Sequence, residues 1–172
     1  GCLPRMVEAG LCFEDYQVVV AGAPGIDPDL YKSILKDKNV LVVTGKTYEL
    51  LQQASAAVVN SGTATLETAL IGTPEVVVYH VPGGRFGYWV KEIVVRTGFV
   101  SLVNIVAGKL VVKELLAHLF TPKNIAAELE QLLNNPVYRQ TMLNNYSEIK
   151  NTLGEPGTAK RAAVKMVELL RS

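Results

Sequence analysis

The fold is decided by residues 56–79, which read Ala-Ala-Val-Val-Asn-Ser-Gly-Thr-Ala-Thr-Leu-Glu-Thr-Ala-Leu-Ile-Gly-Thr-Pro-Glu-Val-Val-Val-Tyr. The apolar runs at both ends are typical of buried strands, and the small residues Ser61, Gly62 and Thr63 form a turn that opens a helix. The helix ends near Gly72, where a tight turn leads into the second strand. This order of strand, turn, helix and strand indicates a parallel α/β unit.

The turn that opens this helix has the properties of a phosphate site. The first N–H groups of a helix lack partners, and the helix dipole favours negative charge there. Glu67 is the only charge on the helix and lies too far from Ser61 to form a capping box with it. A carboxylate one to two turns beyond a phosphate can accept hydrogen bonds from a ribose. The local pattern leaves open the alternative that small residues pack the helix on the sheet and Glu67 faces solvent.

Composition excludes several classes of function. The chain has 172 residues, 49% hydrophobic and 19% charged, which is enough for one domain with a core. A net charge of +1 gives no electrostatic case for nucleic-acid binding. Cys2 and Cys12 lack metal-ligand spacing and indicate free thiols in a cytosolic protein. No apolar run reaches the roughly 18 to 20 residues that span a bilayer, and no signal-peptide pattern is present.

The rest of the chain continues the alternation of strands and helices. Strands are predicted at 16–21, 40–43, 56–59 and 75–79, and helices at 4–12, 28–36, 47–54, 122–134, 136–152 and 158–171. The dipeptides Asp27-Pro28, Thr121-Pro122 and Asn135-Pro136 each join a cap residue to a proline at the first helical position. We therefore expect an α/β fold, a Rossmann-like parallel sheet with helices on both faces. Ligands of such folds bind where the strands end.

Three blocks of the sequence resemble lipid-A-disaccharide synthases. The first is Ser-Gly-Thr-Ala-Thr-Leu-Glu at 61–67, followed by Gly-Thr-Pro-Glu-Val-Val-Val-Tyr at 72–79. The second is Phe-Val-Ser-Leu-Val-Asn-Ile-Val-Ala-Gly at 99–108 with Val-Lys-Glu-Leu-Leu at 112–116, and the third, weaker block covers 156–163. Val103 stands where the family usually has a proline, which would stiffen the loop that carries Asn104.

The resemblance implies the C-terminal domain of a GT-B glycosyltransferase. Such an enzyme transfers 2,3-diacylglucosamine from its UDP donor to 2,3-diacylglucosamine 1-phosphate, giving lipid A disaccharide 1-phosphate and UDP. Residues 1–172 would then be a single UDP-sugar-binding domain, inactive alone and without a catalytic residue of its own. The lipid acceptor would bind to the missing N-terminal domain, toward which a terminal helix at 158–172 would pack.

The same resemblance assigns the site residues by position. It places Ser61, Gly62 and Thr63 at the diphosphate, Glu67 at the ribose hydroxyls and Asn104 near the phosphates, and it adds Arg161 at the start of the last helix. It implies no metal and no other cofactor, because the UDP-sugar is the donor substrate. It also implies a cytoplasmic enzyme of a Gram-negative bacterium, peripheral on the inner membrane, and it is compatible with a homo-oligomer.

Several alternatives stay open on the sequence. A core helix with solvated basic ends is favoured at 85–96 over membrane contact through Phe86, Tyr88 and Trp89. His80 is more typical of a structural histidine than of a nucleotide contact. Another UDP-sugar enzyme of the same architecture is compatible with the pattern, such as a peptidoglycan glycosyltransferase or a UDP-N-acetylglucosamine epimerase. A non-catalytic nucleotide-binding module is also compatible.

Overall fold

The structure is a computed structural model, and it describes residues 2–36, 38, 40–60, 62–80 and 98–154. The described elements are, in chain order, α1 (Leu3–Gly10), β1 (Val19–Gly22), α2 (Pro28–Leu35), β2 (Leu41–Thr44), α3 (Thr47–Gln53), β3 (Ala57–Val59), α4 (Gly62–Ile71), β4 (Glu75–Tyr79), α5 (Leu102–Ala107), β5 (Lys113–Leu116), a 3-10 turn (Ala117–Leu119), α6 (Pro122–Asn134) and α7 (Pro136–Leu153). Most predicted elements are confirmed with small shifts at their ends. The helix predicted at 158–171 lies outside the described residues.

All strand pairs of the described residues are parallel, as predicted. β1 pairs with β2, and β4 lies between β3 and β5. Within the described ranges no hydrogen-bonded ladder joins the pair to the three-stranded sheet, so the single expected sheet is found as two. All five residues of β4 are buried, whereas Leu41 at the start of β2 is 52% exposed. The packing is therefore centred on β4.

β5 is a strand that the sequence did not predict, because this region was expected to be mostly helical. Its residues Lys-Glu-Leu-Leu carry two charges, which argues against a half-buried strand. The carboxylate of Glu114 accepts backbone hydrogen bonds from Val100 at 3.0 Å and from Ser101 at 2.8 Å. Since removing a charge from water is tolerated when the charge is hydrogen-bonded, these bonds allow the half-buried Glu114 to lie in the sheet.

The main core joins β4 to the helices on either side of the three-stranded sheet. Its fully buried members include Val76, Val77, Val78, Val103, Val112, Ile125 and Leu132. A smaller cluster joins α1 to α2 through Val7, Tyr31 and Leu35. A parallel sheet covered on both faces needs such continuous apolar strands, which explains the Val-Val-Val run of β4.

The three predicted cap-and-proline starts are confirmed. Asp27 accepts a hydrogen bond from the N–H of Asp29 at 2.9 Å at the start of α2. Thr121 and Asn135 accept equivalent bonds at the starts of α6 and α7, at 3.2 and 3.1 Å. These bonds satisfy helix N–H groups that would otherwise lack partners.

Candidate functional site

The start of α4 presents polar groups at the end of β3. Gly62 is the first residue of α4 and is half-buried, and Thr63 follows it as an exposed residue. The hydroxyls of Thr65 and Thr68 are turned to their own helix, donating to the carbonyls of Gly62 at 2.7 Å and Ala64 at 2.8 Å. Among the described hydroxyls at this helix start, the exposed one is that of Thr63, beside the first N–H groups of a ten-residue helix. Such a helix end favours an anion.

Tyr79, the last residue of β4, lies against this helix start. A Cβ atom placed on Gly62 would lie 3.9 Å from the Tyr79 hydroxyl. Tyr79 is only 8% exposed, and its hydroxyl makes no hydrogen bond within the described residues. Burial raises the pKa of Tyr79 to about 12, with smaller contributions from the charges of Glu114 and Glu75. The phenol is therefore a neutral hydrogen-bond donor near neutral pH.

Glu67 lies further along α4 and is exposed. Its Oε2 atom accepts a hydrogen bond of 3.2 Å from the hydroxyl of Tyr48, the second residue of α3. The negative charge of Glu67, together with this hydrogen bond, raises the pKa of Tyr48. Glu67 therefore faces solvent, as one of the two sequence interpretations expected. Its carboxylate is also hydrogen-bonded to the phenol of Tyr48.

Asn104 is fully buried and organises the segment between α5 and β5. Its amide nitrogen donates to the carbonyl of Val112 and to Oε1 of Glu114, both at 2.9 Å. Its amide oxygen accepts from the N–H groups of Val111 at 2.8 Å and Val112 at 2.9 Å. All four hydrogen-bonding positions of an asparagine side chain are thus used inside the protein.

Glu114 completes this network from β5. In addition to the bond from the Asn104 amide, the Glu114 carboxylate accepts hydrogen bonds from the N–H groups of Val100 and Ser101, which precede α5. The hydroxyl of Ser101 in turn caps α5 by accepting a bond of 3.3 Å from the N–H of Asn104. One carboxylate therefore fixes the start of α5 against the sheet.

The comparisons with known proteins agree on one family. Residues 14–166 match the model of a family described as lipid-A-disaccharide synthetase. The chain belongs to this family. The lipid-A-disaccharide synthase of Myxococcus xanthus (strain DK1622) is 42% identical over 174 residues, covering 98% of this chain and 45% of the relative. The synthase of Syntrophus aciditrophicus (strain SB) is 42% identical over 132 residues, covering 77% of the chain and 34% of the relative.

A more distant member of the lipid-A-disaccharide synthetase family, from Persephonella marina (strain DSM 14350 / EX-H1), is 34% identical over 163 residues. These residues cover 91% of this chain and 42% of the relative. The chain spans less than half the length of the curated relatives that it matches. The described parallel sheets with their flanking helices are consistent with a GT-B glycosyltransferase domain, as the resemblance implied.

The structure brings some of the predicted site residues together. Gly62, Thr63 and Glu67 share α4, and their binding roles stay predictions. Asn104 stays a prediction too, but its side chain has no free hydrogen-bonding position, so contact with a phosphate would require one of its present bonds to break. Ser61 and Arg161, the segment 85–96 with its expected core helix, and the third block at 156–163 lie outside the described residues.

Sequence reasoning missed two residues that shape the site in this member of the lipid-A-disaccharide synthetase family. Tyr48 was not noticed, although it lies shortly after the turn that ends β2, where ligands of parallel folds bind. Glu114 was considered only as part of the second family block, and the available signal was its charge within a short apolar stretch.

His80 is exposed, and its ring lies 6.3 Å from the ring of Phe120, centroid to centroid.

No helix in the described ranges is both long and apolar enough to cross a membrane. In the same part of the chain, no three or more His, Cys, Asp or Glu side chains lie together as a metal site requires.

Proposed function

We propose that this chain is the donor-binding part of a glycosyltransferase of lipid A biosynthesis. The donor is UDP-2,3-diacylglucosamine, and the acceptor is 2,3-diacylglucosamine 1-phosphate. In this proposal the chain binds the nucleotide sugar, and the part of the relatives' length that this chain does not match binds the lipid acceptor. The products are lipid A disaccharide 1-phosphate and UDP.

The observation that carries the proposal is that the N-terminal end of α4 and an exposed carboxylate, that of Glu67, lie on the same helix. Gly62 and Glu67 are five residues apart on α4, which is about 7.5 Å along a helix axis. That spacing suits a nucleoside diphosphate, whose phosphates would meet the helix start while its ribose hydroxyls donate to Glu67. Family membership over residues 14–166 supports a lipid A donor over the other UDP-sugar enzymes.

The contribution of the donor-binding part to the reaction would be electrostatic. When the bond between the anomeric carbon of the sugar and the phosphate oxygen of UDP breaks, negative charge develops on the departing UDP. Helix N–H groups and hydroxyls held at that phosphate stabilise the transition state without reorganising. The exposed Thr63 hydroxyl and the first N–H groups of α4 would supply these donors, and the neutral Tyr79 phenol lies against the same helix start.

The lipid substrates suggest where the enzyme works. Both donor and acceptor carry two acyl chains, so we propose a cytoplasmic enzyme that is peripheral on the inner membrane. We also propose that it requires no metal, since helix N–H groups would take the role that a cation plays in other transferases.

Calorimetric titration with UDP, with ADP and GDP in parallel, tests the proposal. We expect selective binding of UDP that Glu67→Gln weakens by about tenfold, because a charged acceptor for the ribose hydroxyls is lost. Glu130→Gln removes an exposed carboxylate from α6 and should leave binding unchanged. Equal affinity for all three nucleotides, or an unchanged affinity in Glu67→Gln, would refute the assignment of α4 as the donor site.

A further inference from the structure

Tyr48 is held at the proposed donor site by the path of the chain after β2. β2 ends at Thr44, and Gly45 takes a left-handed backbone conformation with φ of +71°, which favours glycine. α3 begins two residues later at Thr47 and contacts α4. The side chain of Tyr48 therefore projects from the first turn of α3 to α4.

The contact between α3 and α4 uses one of the two carboxylate oxygens of Glu67. The Tyr48 hydroxyl donates to Oε2 of Glu67 at 3.2 Å, and Oε1 makes no hydrogen bond within the described residues. The Tyr48 side chain is 55% exposed, which is high for a large aromatic residue. Among the described residues, the pair thus has one carboxylate oxygen that is hydrogen-bonded and one that is not, next to an exposed aromatic ring.

We infer that Tyr48 is a positioning residue for the donor, holding one oxygen of Glu67 so that the other accepts from the ribose hydroxyls of the nucleotide sugar. This inference rests on the proposed function, because it takes the ligand of Glu67 to be a ribose. It names a residue that acts through Glu67 and not on the phosphates.

The hydrogen bond from Tyr48 preorganises the Glu67 side chain for binding. A free glutamate side chain has several rotamers, and binding must select one of them at an entropic cost. A hydrogen bond to Tyr48 lowers this cost before the ligand arrives. Because the pKa of Tyr48 is raised by the Glu67 charge, the phenol keeps its proton and stays the donor over the physiological range. A role in fold stability is a poor alternative, since an exposed polar contact contributes little to unfolding free energy.

A double-mutant cycle tests the inference on the present chain. Tyr48→Phe keeps the ring and removes the hydroxyl, Glu67→Ala removes the carboxylate that accepts its hydrogen bond, and the double variant combines both. Tyr16→Phe is the matched control, since Tyr16 is also an exposed tyrosine, at 39% exposure. Affinities for UDP and for inorganic pyrophosphate are measured by calorimetry, because pyrophosphate lacks the ribose.

We expect Tyr48→Phe to weaken UDP binding about three- to tenfold and to leave pyrophosphate binding unchanged. In the Glu67→Ala background, where no acceptor is left for the Tyr48 hydroxyl, Tyr48→Phe should have no further effect. If UDP binds and Glu67→Ala weakens it while Tyr48→Phe does not, the inference is wrong and the proposed function stands. If Tyr48→Phe weakens UDP equally in both backgrounds, Tyr48 does not act through Glu67. If the unaltered chain binds no UDP, the proposed function fails and the inference fails with it.

A measurement without ligand tests the contact itself. Ultraviolet titration of the phenols, with Tyr48→Phe subtracted, gives the pKa of Tyr48 in the unaltered chain and in Glu67→Gln. We expect the pKa to fall in Glu67→Gln, because the neighbouring charge is removed. An identical pKa in both proteins would mean that the hydrogen bond is absent in solution and would overturn the inference.

Discussion

Glu75 is a buried carboxyl group whose removal should make the protein less sensitive to alkaline pH. It is the first residue of β4 and is fully buried, and neither carboxyl oxygen makes a well-formed hydrogen bond within the described residues. Burial raises its pKa from 4.5 to about 9, and the hydroxyl of Tyr146 on α7 opposes this shift only in part. The folded protein therefore holds Glu75 protonated near neutral pH.

The sign of the pH effect follows from the two pKa values. In the unfolded chain Glu75 ionises near its ordinary pKa of 4.5, whereas the folded protein keeps the proton up to about pH 9. Between these values the folded state binds one more proton, so its stability falls as pH rises, by about 1.4 kcal/mol per pH unit. From pH 5 to pH 8 the loss amounts to about 4 kcal/mol, a large share of a typical unfolding free energy.

The assay is urea unfolding, followed by circular dichroism at pH 5, 6, 7 and 8. Glu75→Gln keeps the shape of the protonated acid and cannot ionise, so we expect its unfolding free energy to exceed that of the unaltered chain increasingly toward pH 8. Glu14→Gln removes an exposed carboxylate and should follow the unaltered chain at every pH. Parallel pH curves for the unaltered chain and Glu75→Gln would refute the reasoning.

Three further substitutions have expected effects on unfolding free energy, each measured by urea denaturation. Asn104→Ala should cost about 3 to 5 kcal/mol because it removes four hydrogen bonds and leaves three buried backbone groups, the N–H of Val111 and the N–H and carbonyl of Val112, without these partners. Asn144→Ala on an exposed face should cost well under 1 kcal/mol, and similar costs for the two variants would contradict the network. Asp27→Ala should cost about 1 kcal/mol through loss of the α2 cap, and no loss would mean that the cap is not formed in solution. Leu132→Ala should cost about 2 to 5 kcal/mol because it opens a cavity in the core, while Leu153→Ala, at 41% exposure, should cost less than half of that.

Local patterns in the sequence were sufficient where one physical signal dominates. The pairs of a cap residue with a proline predicted the first residues of α2, α6 and α7, because these side chains act within their own turn. The run of valines in β4 predicted a buried strand, because a short continuous apolar run is typical of a strand that is covered on both faces. The start of α4 at Gly62 was also predicted from the small residues of the turn, whereas its role in binding an anion stays a prediction.

Features that depend on long-range partners could not be predicted in this way. β5 was missed because Glu114 is stabilised by the N–H groups of Val100 and Ser101, which lie far from it in the chain. The burial of Glu75 was missed because a charge at the start of a strand is usually solvated. The contact between Tyr48 and Glu67 depends on how α3 packs on α4, and no local pattern encodes that packing.

The most direct test of the donor site is a titration of the isotope-labelled chain with UDP, followed by amide chemical shifts in nuclear magnetic resonance spectra. If α4 binds the nucleotide, the largest shifts should fall on Gly62, Thr63 and Glu67, with smaller ones at Tyr48. The contrary result would be saturable binding of UDP whose shifts leave α4 unchanged and fall elsewhere, for example in the cleft between β5 and α7 lined by Lys113 and Tyr138.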